Sequence, residues 1–494
     1  MITVKDKVVK KINNFWNHAL FHPTDAVEDP WGKMLLDRFS ADGAVKTVRV
    51  YAMLEDIVYL GEDGNLQYDF RISDLRLDYL LSRGFDLLIS LAGMPDCIAK
   101  NTTGKTSVSK NKTRYKGKMW NTSPTRDPKL WEEVCYEYVK HNVARYGIET
   151  VSNWHFQCFN EPDIPAFFMS ELPYNASNVP ARLEEYCKMY EGFARGLKKA
   201  SPRVKIGGPA LAVSLSFLDG LLAYIREKEL PIDFISYHSY GTEPSLITRG
   251  EKLPRVANHF DKHEKYLEII RKNRFDGLPI MIDEWGIAAG GFCNRDDYPE
   301  LMFRETEFYS SYYARLIHDV AYSDYNIEKM MICLSGQHEM VEDFTGFRNF
   351  FTLNFIAKPI YNAYVLASKL GDELLEVKTD NDNLFVTATK NNDGYALLMT
   401  YSDELLSENL PEIEEKLTFS ENICGKKVSV WCIDKETTNP YRLYQKLGIG
   451  EPNADEIALL RREGTLRPVT EFVFSGEPIS VKLTANSTYL VEIN

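Results

Sequence analysis

The sequence has no long hydrophobic run and no apolar leader. No segment approaches the roughly 18 consecutive apolar residues that cross a membrane. The first residues, Met1–Lys7, lack the apolar centre of a signal peptide. We therefore expect a cytoplasmic protein with no membrane partner. A secreted protein whose signal had been removed would show the same N-terminus.

Paired metal-binding motifs are also absent. The eight cysteines form no C-x-x-C pair, so buried free thiols are expected, and the nine histidines form no His-x-His of the kind that metal-dependent barrel hydrolases carry. No glycine-rich phosphate loop follows the first predicted strand, which argues against a dinucleotide-binding fold. The net charge of −13 argues against nucleic acid as a partner.

What is present is a regular alternation of strands and helices between residues 12 and 370. The predicted strands are continuously apolar, which is typical of parallel strands buried on both faces. They cover Phe15–Leu20, Ala44–Ala52, Asp86–Ala92, Asn153–Asn160, Val204–Gly208, Ile232–His238, Pro279–Glu284 and Ile327–Leu334. Amphipathic segments such as Pro128–Tyr146 separate them. The pattern predicts an α/β fold, a (β/α)8 TIM barrel over residues 12–370.

The character of the chain changes after residue 370. Residues 371–494 contain short β-rich runs separated by Asn, Asp and Gly turns, with one helical insertion at Ala454–Glu463. This composition predicts a C-terminal all-β sandwich as an accessory domain. The alternating residues 1–11 are expected to add an edge strand to it.

Two glutamates lie at matching places in this pattern. Glu161 follows an apolar strand in Asn160-Glu161-Pro162, and Glu284 ends another in Ile282-Asp-Glu284. At roughly 40 residues per βα unit, three units separate them, so they are expected on strands four and seven of the barrel. Hydrolysis of a glycosidic bond needs two such carboxyl groups, one protonated and one ionised. The alternative is that Glu before Pro only serves a strand-to-helix turn.

With these motifs, the sequence resembles glycoside hydrolase family 39, the retaining β-xylosidases and relatives of α-L-iduronidase. The resemblance runs through Arg145–Trp154, Phe159–Pro162, Val204–Ala210, Ile232–Tyr240, Ile282–Glu284, Lys358-Pro359 and Thr438–Gly448. It implies that Glu161 is the acid/base and Glu284 the nucleophile. It further implies that Asn160 binds the sugar 2-hydroxyl, and that His238 and Tyr240 bind sugar or orient the nucleophile. Without its motif, His238 would be read as a barrel-rim histidine.

The sequence departs from the family pattern near the sugar pocket. Arg49 is followed by Tyr51 where the β-xylosidases have a histidine, and a tryptophan usual after the eighth strand is missing. The acidic pair Glu342-Asp343 is expected to hold sugar hydroxyls. Trp285 is expected either to pack on the sugar or only to wedge its loop.

A basic loop, residues 100–127, stands out in this acidic chain. It carries seven Lys and Arg residues between Lys100 and Lys118, with Trp120 at its far end as a further candidate for sugar binding. It is either a solvated loop or a lid that contacts an acidic or extended substrate.

These features predict a retaining exo-glycoside hydrolase acting on an oligosaccharide or glycoside, with β-D-xylosides as the first expectation. Alternatives are a glucoside, galactoside or arabinoside, an endo-acting polysaccharide hydrolase, a transglycosylase sharing these residues, and a carbohydrate-binding pseudoenzyme. Two carboxyl groups suffice for this hydrolysis, so neither a cofactor nor a metal is expected. The sequence does not determine the sugar, the linkage or the oligomeric state.

Overall fold

The structure is a computed structural model that describes residues 1–21, 30–107, 119–250, 254–291, 293–336, 340–391, 394–403 and 407–494. Eight parallel strands close into a barrel. They are His18–Leu20, Thr47–Tyr51, Asp86–Leu91, His155–Cys158, Lys205–Leu211, Phe234–Thr242, Ile280–Ala288 and Ile327–Cys333. The predicted barrel is confirmed, and each of its strands overlaps a predicted one.

Helices cover the outside of the barrel, and other helices lie in its loops and in the C-terminal region. Those in the described residues are Pro30–Ala41, Arg71–Ser82, Pro128–Tyr146, Ile148–Val151, Val179–Ala200, Leu215–Glu227, Pro244–Thr248, Ala257–Lys272, Glu307–Ala321, Pro359–Ala367, Pro440–Leu447 and Ala454–Glu463, with 3₁₀ turns at Leu54–Asp56, Ala176–Asn178 and Pro299–Glu305. Within the described part of the chain, no helix is long and apolar enough to cross a membrane.

Local sequence explains where the helices begin and end. Pro128–Tyr146 starts at Asp127, whose carboxylate accepts from the backbone N–H of Lys129, and stops at Gly147, which has a φ of 80° that favours glycine. The predicted insertion Ala454–Glu463 begins with a capping box, in which Asn453 and Glu456 satisfy each other's backbone N–H groups.

The strands of the C-terminal region and the N-terminal strand together form a nine-stranded sheet. Its strands, in hydrogen-bonded order, are Pro468–Val473, Lys427–Ile433, Ser487–Ile493, Tyr395–Tyr401, Leu384–Lys390, Glu373–Lys378, Ile2–Lys11, Ile413–Phe419 and Ile479–Leu483. Ile2, Leu397 and Leu483 belong to one core of side chains from both halves of this sheet. The predicted all-β sandwich is confirmed.

The N-terminal strand is not an edge strand, so that prediction is wrong. Ile2–Lys11 pairs antiparallel with Glu373–Lys378 and parallel with Ile413–Phe419. The second partner was not predicted, because Ile413–Phe419 contains the charged run Glu414-Glu415-Lys416 and buries fully only Leu417. Two partners hold the N-terminal segment inside the sheet.

The outer face of the sheet packs on the barrel. Leu398, Trp431 and Leu490 belong to the same core as the barrel helices, and the hydroxyls of Ser311 and Thr400 are 2.7 Å apart. The sheet therefore rests on Glu307–Ala321 and Pro359–Ala367, on the outside of the barrel. The division at residues 370 and 371 stays a prediction.

Two pairs of short antiparallel strands lie among the loops that follow the second and third barrel strands: the hairpin strands Val58–Leu60 and Leu66–Tyr68, and the strands Lys105–Ser107 and Met119–Asn121. Trp120 belongs to the strand Met119–Asn121. This pairing places an aromatic side chain from the predicted basic loop at the mouth of the barrel.

Candidate active site

A pocket of about 290 Å³ opens at the C-terminal ends of the barrel strands, where enzymes of this fold carry their active sites. Five residues predicted from the sequence line it. They are Glu161, Glu284, Tyr240, Tyr51 and Trp120. Asn160, His238 and Arg49 are buried and hydrogen-bond or pair with the two pocket glutamates or each other. The structure therefore brings most of the predicted residues together.

Glu284 lies in the middle of the seventh strand, where a β-bulge changes the usual alternation of side chains. Tyr237 pairs with Ile282 but His238 pairs with Glu284, so Asp283 is the extra residue. Asp283 and Glu284 consequently both reach the groups inside the barrel, and Trp285 points the other way. Bulges of this kind commonly re-aim side chains next to active sites.

Three cationic or hydroxyl donors surround the Glu284 carboxylate. Arg49 Nη1 donates to Oε1 over 2.7 Å, Tyr240 Oη donates to Oε2 over 2.8 Å, and His238 Nδ1 lies 3.5 Å from Oε2. Burial by itself would raise the pKa of Glu284, but the positive charges of His238, Arg49 and Arg348 outweigh it and hold the pKa below its usual range. Glu284 is thus an anion at neutral pH.

Glu161 sits on the loop after the fourth strand in a strained backbone conformation. Its φ is 42° and that of Phe159 is 64°, both in the left-handed region that costs a non-glycine residue about 1–3 kcal/mol. The Glu161 N–H donates to the carbonyl of Ala210 over 3.1 Å, which holds the turn against the fifth strand. The turn aims the carboxyl group into the pocket.

The environment of Glu161 favours its protonated form. Burial raises the pKa of the Glu161 carboxyl, the partner His238 lowers it, and the neighbouring Glu284 raises it, with a net rise. One carboxylate oxygen of Glu161 lies within 4.8 Å of one of Glu284. Two carboxyl groups this close with opposite pKa shifts form an acid and an anion side by side.

His238 lies between the two glutamates. Its Nδ1 is 2.7 Å from Glu161 Oε1, and its Nε2 is 3.6 Å from the buried carboxylate of Asp283. Burial alone would lower the pKa of His238, but Glu284, Asp283 and Glu161 raise it to about 10. His238 is therefore a cation that donates to Glu161.

This charge state also bears on metal binding. Glu161, His238 and Glu284 have the ligand types of a metal site, with one atom of each within 4.8 Å of the others. A histidine ligand must be a neutral imidazole, so a metal ion would have to displace a proton of His238, whose pKa is raised to about 10. The absence of a metal requirement stays a prediction.

Arg49 connects the two sides of the site from the second strand. Its guanidinium donates to Glu284, to Asn160 Oδ1 over 2.6 Å and to Gln157 Oε1 over 3.1 Å, and it lies 3.3 Å from Asp283. Because Oδ1 of Asn160 is occupied, its Nδ2 is the group left to donate to a substrate. A planar guanidinium with five donors suits this role.

Arg348, Gln157 and Asp283 belong to the site but were not predicted. Arg348 lines the pocket and donates from Nη1 to Tyr240 Oη over 2.8 Å. A Cβ at Gly291 would collide with the guanidinium of Arg348, so only glycine at this position leaves space for the arginine side chain. The available signal was a single arginine among the four phenylalanines of Phe344–Phe351, a setting that favours a buried charge.

Tyr51 and Trp120 form an aromatic wall. Their ring centroids are 4.9 Å apart, and the Arg49 guanidinium lies 5.2 Å from the Tyr51 ring. Tyr51 therefore lines the pocket between Arg49 and Trp120.

Trp285, Glu342 and Asp343 are not among the described residues that line the pocket. For Trp285 this favours the alternative of a residue that only wedges its loop, and sugar binding by Glu342 and Asp343 stays a prediction. Trp285 is fully buried and stacks on Tyr313 with centroids 5.5 Å apart. Glu342 is half-exposed and pairs with Arg295 over 2.8 Å. The Asp343 carboxylate accepts from the backbone and side-chain amides of Asn354, so it connects two ends of the loop that carries it.

The basic loop is described only in part. Lys105 pairs with Asp96 over 2.6 Å and Lys100 with Glu185 over 3.3 Å, so these two cations have partners outside the pocket. The other five, Lys110, Lys112, Arg114, Lys116 and Lys118, lie outside the described residues. A lid formed by them stays a prediction.

Comparison with known proteins agrees with this fold. The chain is 26% identical over 463 residues to a β-xylosidase of Caldicellulosiruptor saccharolyticus, covering 90% of this chain and 86% of that one. It is also 26% identical over 227 residues to human α-L-iduronidase, covering 42% and 30%.

A solved structure, the monomeric β-xylosidase of Caulobacter crescentus, has the same fold with a TM-score of 0.83 at 18% identity, covering 100% of this chain and 99% of that one. The sequence profile of glycosyl hydrolases family 39 matches residues 1–475. The chain is therefore a glycosidase that belongs to glycosyl hydrolases family 39.

Proposed function

We propose that this protein is a retaining exo-β-glycosidase that cleaves glycosides by double displacement. The observation that carries the proposal is the pair Glu161 and Glu284, with one oxygen of each within 4.8 Å. Carboxyl groups about 5–5.5 Å apart suit a retaining mechanism, whereas an inverting enzyme needs about 6.5–9.5 Å to place a water between them. The short distance between these oxygens supports the retaining mechanism.

In the first step, ionised Glu284 attacks the anomeric carbon while Glu161 protonates the departing glycosidic oxygen. The opposite pKa shifts of the two groups match these roles at neutral pH. Asn160 Nδ2 is placed to donate to the 2-hydroxyl, a contact that strengthens in the transition state. The products are a glycosyl ester on Glu284 and the free alcohol.

In the second step, Glu161 is a carboxylate and accepts a proton from water, which attacks the anomeric carbon and releases Glu284. His238 stays protonated through both steps because its pKa is about 10. Its Nδ1 then stabilises the new negative charge on Glu161, 2.7 Å away. Arg49 and Tyr240 hold Glu284 in line when it leaves.

The size of the pocket supports an exo mode. At about 290 Å³ it lies at the lower end of the roughly 300–1,000 Å³ of small-molecule sites, and Arg348, Gly290 and Gly291 line it on the side of the seventh and eighth strands. A pocket of this volume accommodates a terminal sugar better than a polysaccharide chain. The β-xylosidase relatives make a β-D-xyloside our first substrate.

A bell-shaped pH dependence should report the two carboxyl groups. We expect kcat/KM to fall at acidic pH as Glu284 is protonated, at a pH below the usual range of glutamate, and to fall at basic pH as Glu161 ionises, above that range. Initial rates across pH 3 to 10 with an aryl glycoside check this. With an activated leaving group, Glu161→Ala should lose the basic limb; a basic limb that persists in this variant would contradict the role of Glu161.

Arg348 supports a second substrate class, a uronic acid. Glu342 and Asp343, whose carboxylates would repel the carboxylate of such a sugar, lie outside the pocket lining, while the guanidinium of Arg348 lies in it. Arginine pairs with carboxylates in two parallel hydrogen bonds. The α-L-iduronidase relatives are the reason to include uronides.

A panel of nitrophenyl glycosides separates the two classes. We expect the β-D-xyloside to give the highest kcat/KM among xyloside, glucoside, galactoside, arabinoside and uronides. If a uronide is preferred, Arg348→Gln should lower kcat/KM for it about 10- to 100-fold more than for the xyloside, because a charged hydrogen bond is lost. Activity on internal linkages of a polysaccharide, with none on the panel, would contradict the exo mode.

A further inference from the structure

One wall of the pocket is apolar and partly exposed to solvent. It is formed by Ile164, Phe167 and Tyr174 from the loop after the fourth strand and by Val213 from the loop after the fifth. Tyr174 is 63% exposed and Val213 is 46% exposed, although both are large apolar side chains. We refer to these four residues as the outer wall. Exposed apolar surface around a pocket commonly marks a binding site.

Buried polar groups hold the outer wall in place. The Asp163 carboxylate, which is fully buried, accepts from the backbone N–H groups of Ala212, Val213 and Ser214 over 2.8–3.0 Å. This ties the loop after the fifth strand to the loop that carries Glu161. The wall is therefore pre-formed on that side, which lowers the entropy lost when a ligand binds.

A second buried group fixes the other end of the wall. The fully buried Arg182 donates to the carbonyls of Phe168 and Leu172, directly before Tyr174 in the chain. Trp120 meets the Phe167 ring edge-on with centroids 6.4 Å apart, so the wall continues into the aromatic side of the pocket. The loop thus presents Tyr174 from a braced backbone.

The position of the wall relative to the two glutamates assigns its ligand. Glu161 is on the same loop as Ile164, Phe167 and Tyr174, and in the proposed function it gives its proton to the leaving oxygen. The leaving group must extend from that oxygen past this loop. Tyr240, in contrast, donates to Glu284, where the glycosyl group becomes attached, and Arg348 donates to Tyr240.

We infer that the outer wall is a binding subsite for the leaving group, and that it selects alcohols with a flat apolar ring face. This inference rests on the proposed function. Tyrosine rings pack against aromatic rings in offset or edge-on arrangements, and the apolar face of a sugar ring offers a similar flat surface. An aromatic alcohol and a second pyranose unit are the two sources of this chemistry.

Leaving groups of different size test the subsite. A glycosyl fluoride has a leaving group too small to reach Tyr174 or Val213, whereas an aryl glycoside and a disaccharide of the same glycone both reach them. We expect Tyr174→Ala to lower kcat/KM for the larger substrates about 3- to 10-fold and to leave the fluoride within twofold of the wild type. Val213→Ala should act in the same direction with a smaller effect.

Tyr59→Ala is the matched control, because Tyr59 is 51% exposed on a hairpin and outside the pocket lining. It should leave all three substrates unchanged. A loss confined to aryl glycosides assigns the wall to aromatic alcohols, and a loss confined to the disaccharide assigns it to sugars. Transfer of the glycosyl group to added alcohols gives an independent measure. Alcohols that carry a ring should react faster than those without one in the wild type, and this difference should disappear in Tyr174→Ala.

The result that overturns the subsite is an equal loss for fluoride and larger substrates, or no loss for any, in Tyr174→Ala and Val213→Ala. Wild-type enzyme that hydrolyses neither the fluoride nor any glycoside would instead overturn the proposed function together with the subsite. The two failures are distinguished by the wild-type rates alone.

Discussion

Glu284→Gln should remove essentially all turnover, while Glu161→Ala should retain the first step on a good leaving group. The amide cannot form the glycosyl ester, and removing a nucleophile costs on the order of 10⁴-fold or more in kcat. Without Glu161 an activated aryl leaving group departs unaided, but water lacks its general base, so deglycosylation slows by about 10²- to 10⁴-fold. The glycosyl-enzyme should then accumulate.

Azide distinguishes the two roles. As a small anion it attacks the glycosyl-enzyme without a base, so it should restore turnover in Glu161→Ala and yield a glycosyl azide of retained configuration, and it should not restore Glu284→Gln. Mass spectrometry of the intact protein checks for the accumulated ester. The control Glu149→Gln removes an exposed surface glutamate paired with Arg203 and should leave the rates unchanged. Equal losses in both active-site variants without azide rescue would contradict the assignment.

The second large effect is expected at Arg49. It is fully buried and pairs with Glu284 and Asp283, so Arg49→Met leaves two carboxylates in the interior with fewer partners. Breaking a buried pair in this way costs about 3–5 kcal/mol of stability. We expect a clear fall in Tm at neutral pH and a loss of activity on every glycoside.

The pH dependence of Arg49→Met separates its electrostatic role from simple unfolding. Arg49 helps lower the pKa of Glu284 in the folded protein. The pair of Arg49 and ionised Glu284 therefore stabilises the fold above the ordinary pKa of glutamate, and this stabilisation is lost as the pH falls through the lowered pKa of Glu284. Without Arg49 the acidic limb of kcat/KM should move to higher pH. Arg49→Lys keeps the charge but loses the planar guanidinium with its several donors. Compared with Arg49→Met, it should therefore regain part of the stability and little of the rate.

The surface pair of Arg203 and Glu149 provides the control for this variant as well. Arg203 is half-exposed, and exposed pairs contribute about 0–1 kcal/mol, so Arg203→Met should change Tm only slightly. Calorimetry across pH 4 to 8 on the wild type, Arg49→Met, Arg49→Lys and Arg203→Met measures the change in Tm and its dependence on pH. An acidic limb that does not move in Arg49→Met would show that Arg49 acts only on stability.

The sequence by itself determined the barrel, the sandwich and the two glutamates. Apolar runs with a period of one βα unit predict parallel strands, because only strands buried on both faces can be apolar throughout. The ends of those strands must meet at one mouth, so the sequence alone predicts that Glu161 and Glu284 converge. Gly147 and Asp127, which bound one helix, show how local signals determined element ends.

The tertiary structure alone decided which neighbouring residues reach the pocket. The bulge at Asp283 turns two consecutive side chains inward and Trp285 outward, and it depends on register with Phe234–Thr242, which no local pattern encodes. Loop conformation likewise placed Arg348 in the pocket lining and Glu342 and Asp343 outside it. Long-range pairing also gave Ile2–Lys11 two partners. Local periodicity specifies elements, whereas register and loop closure are set by contacts distant in sequence.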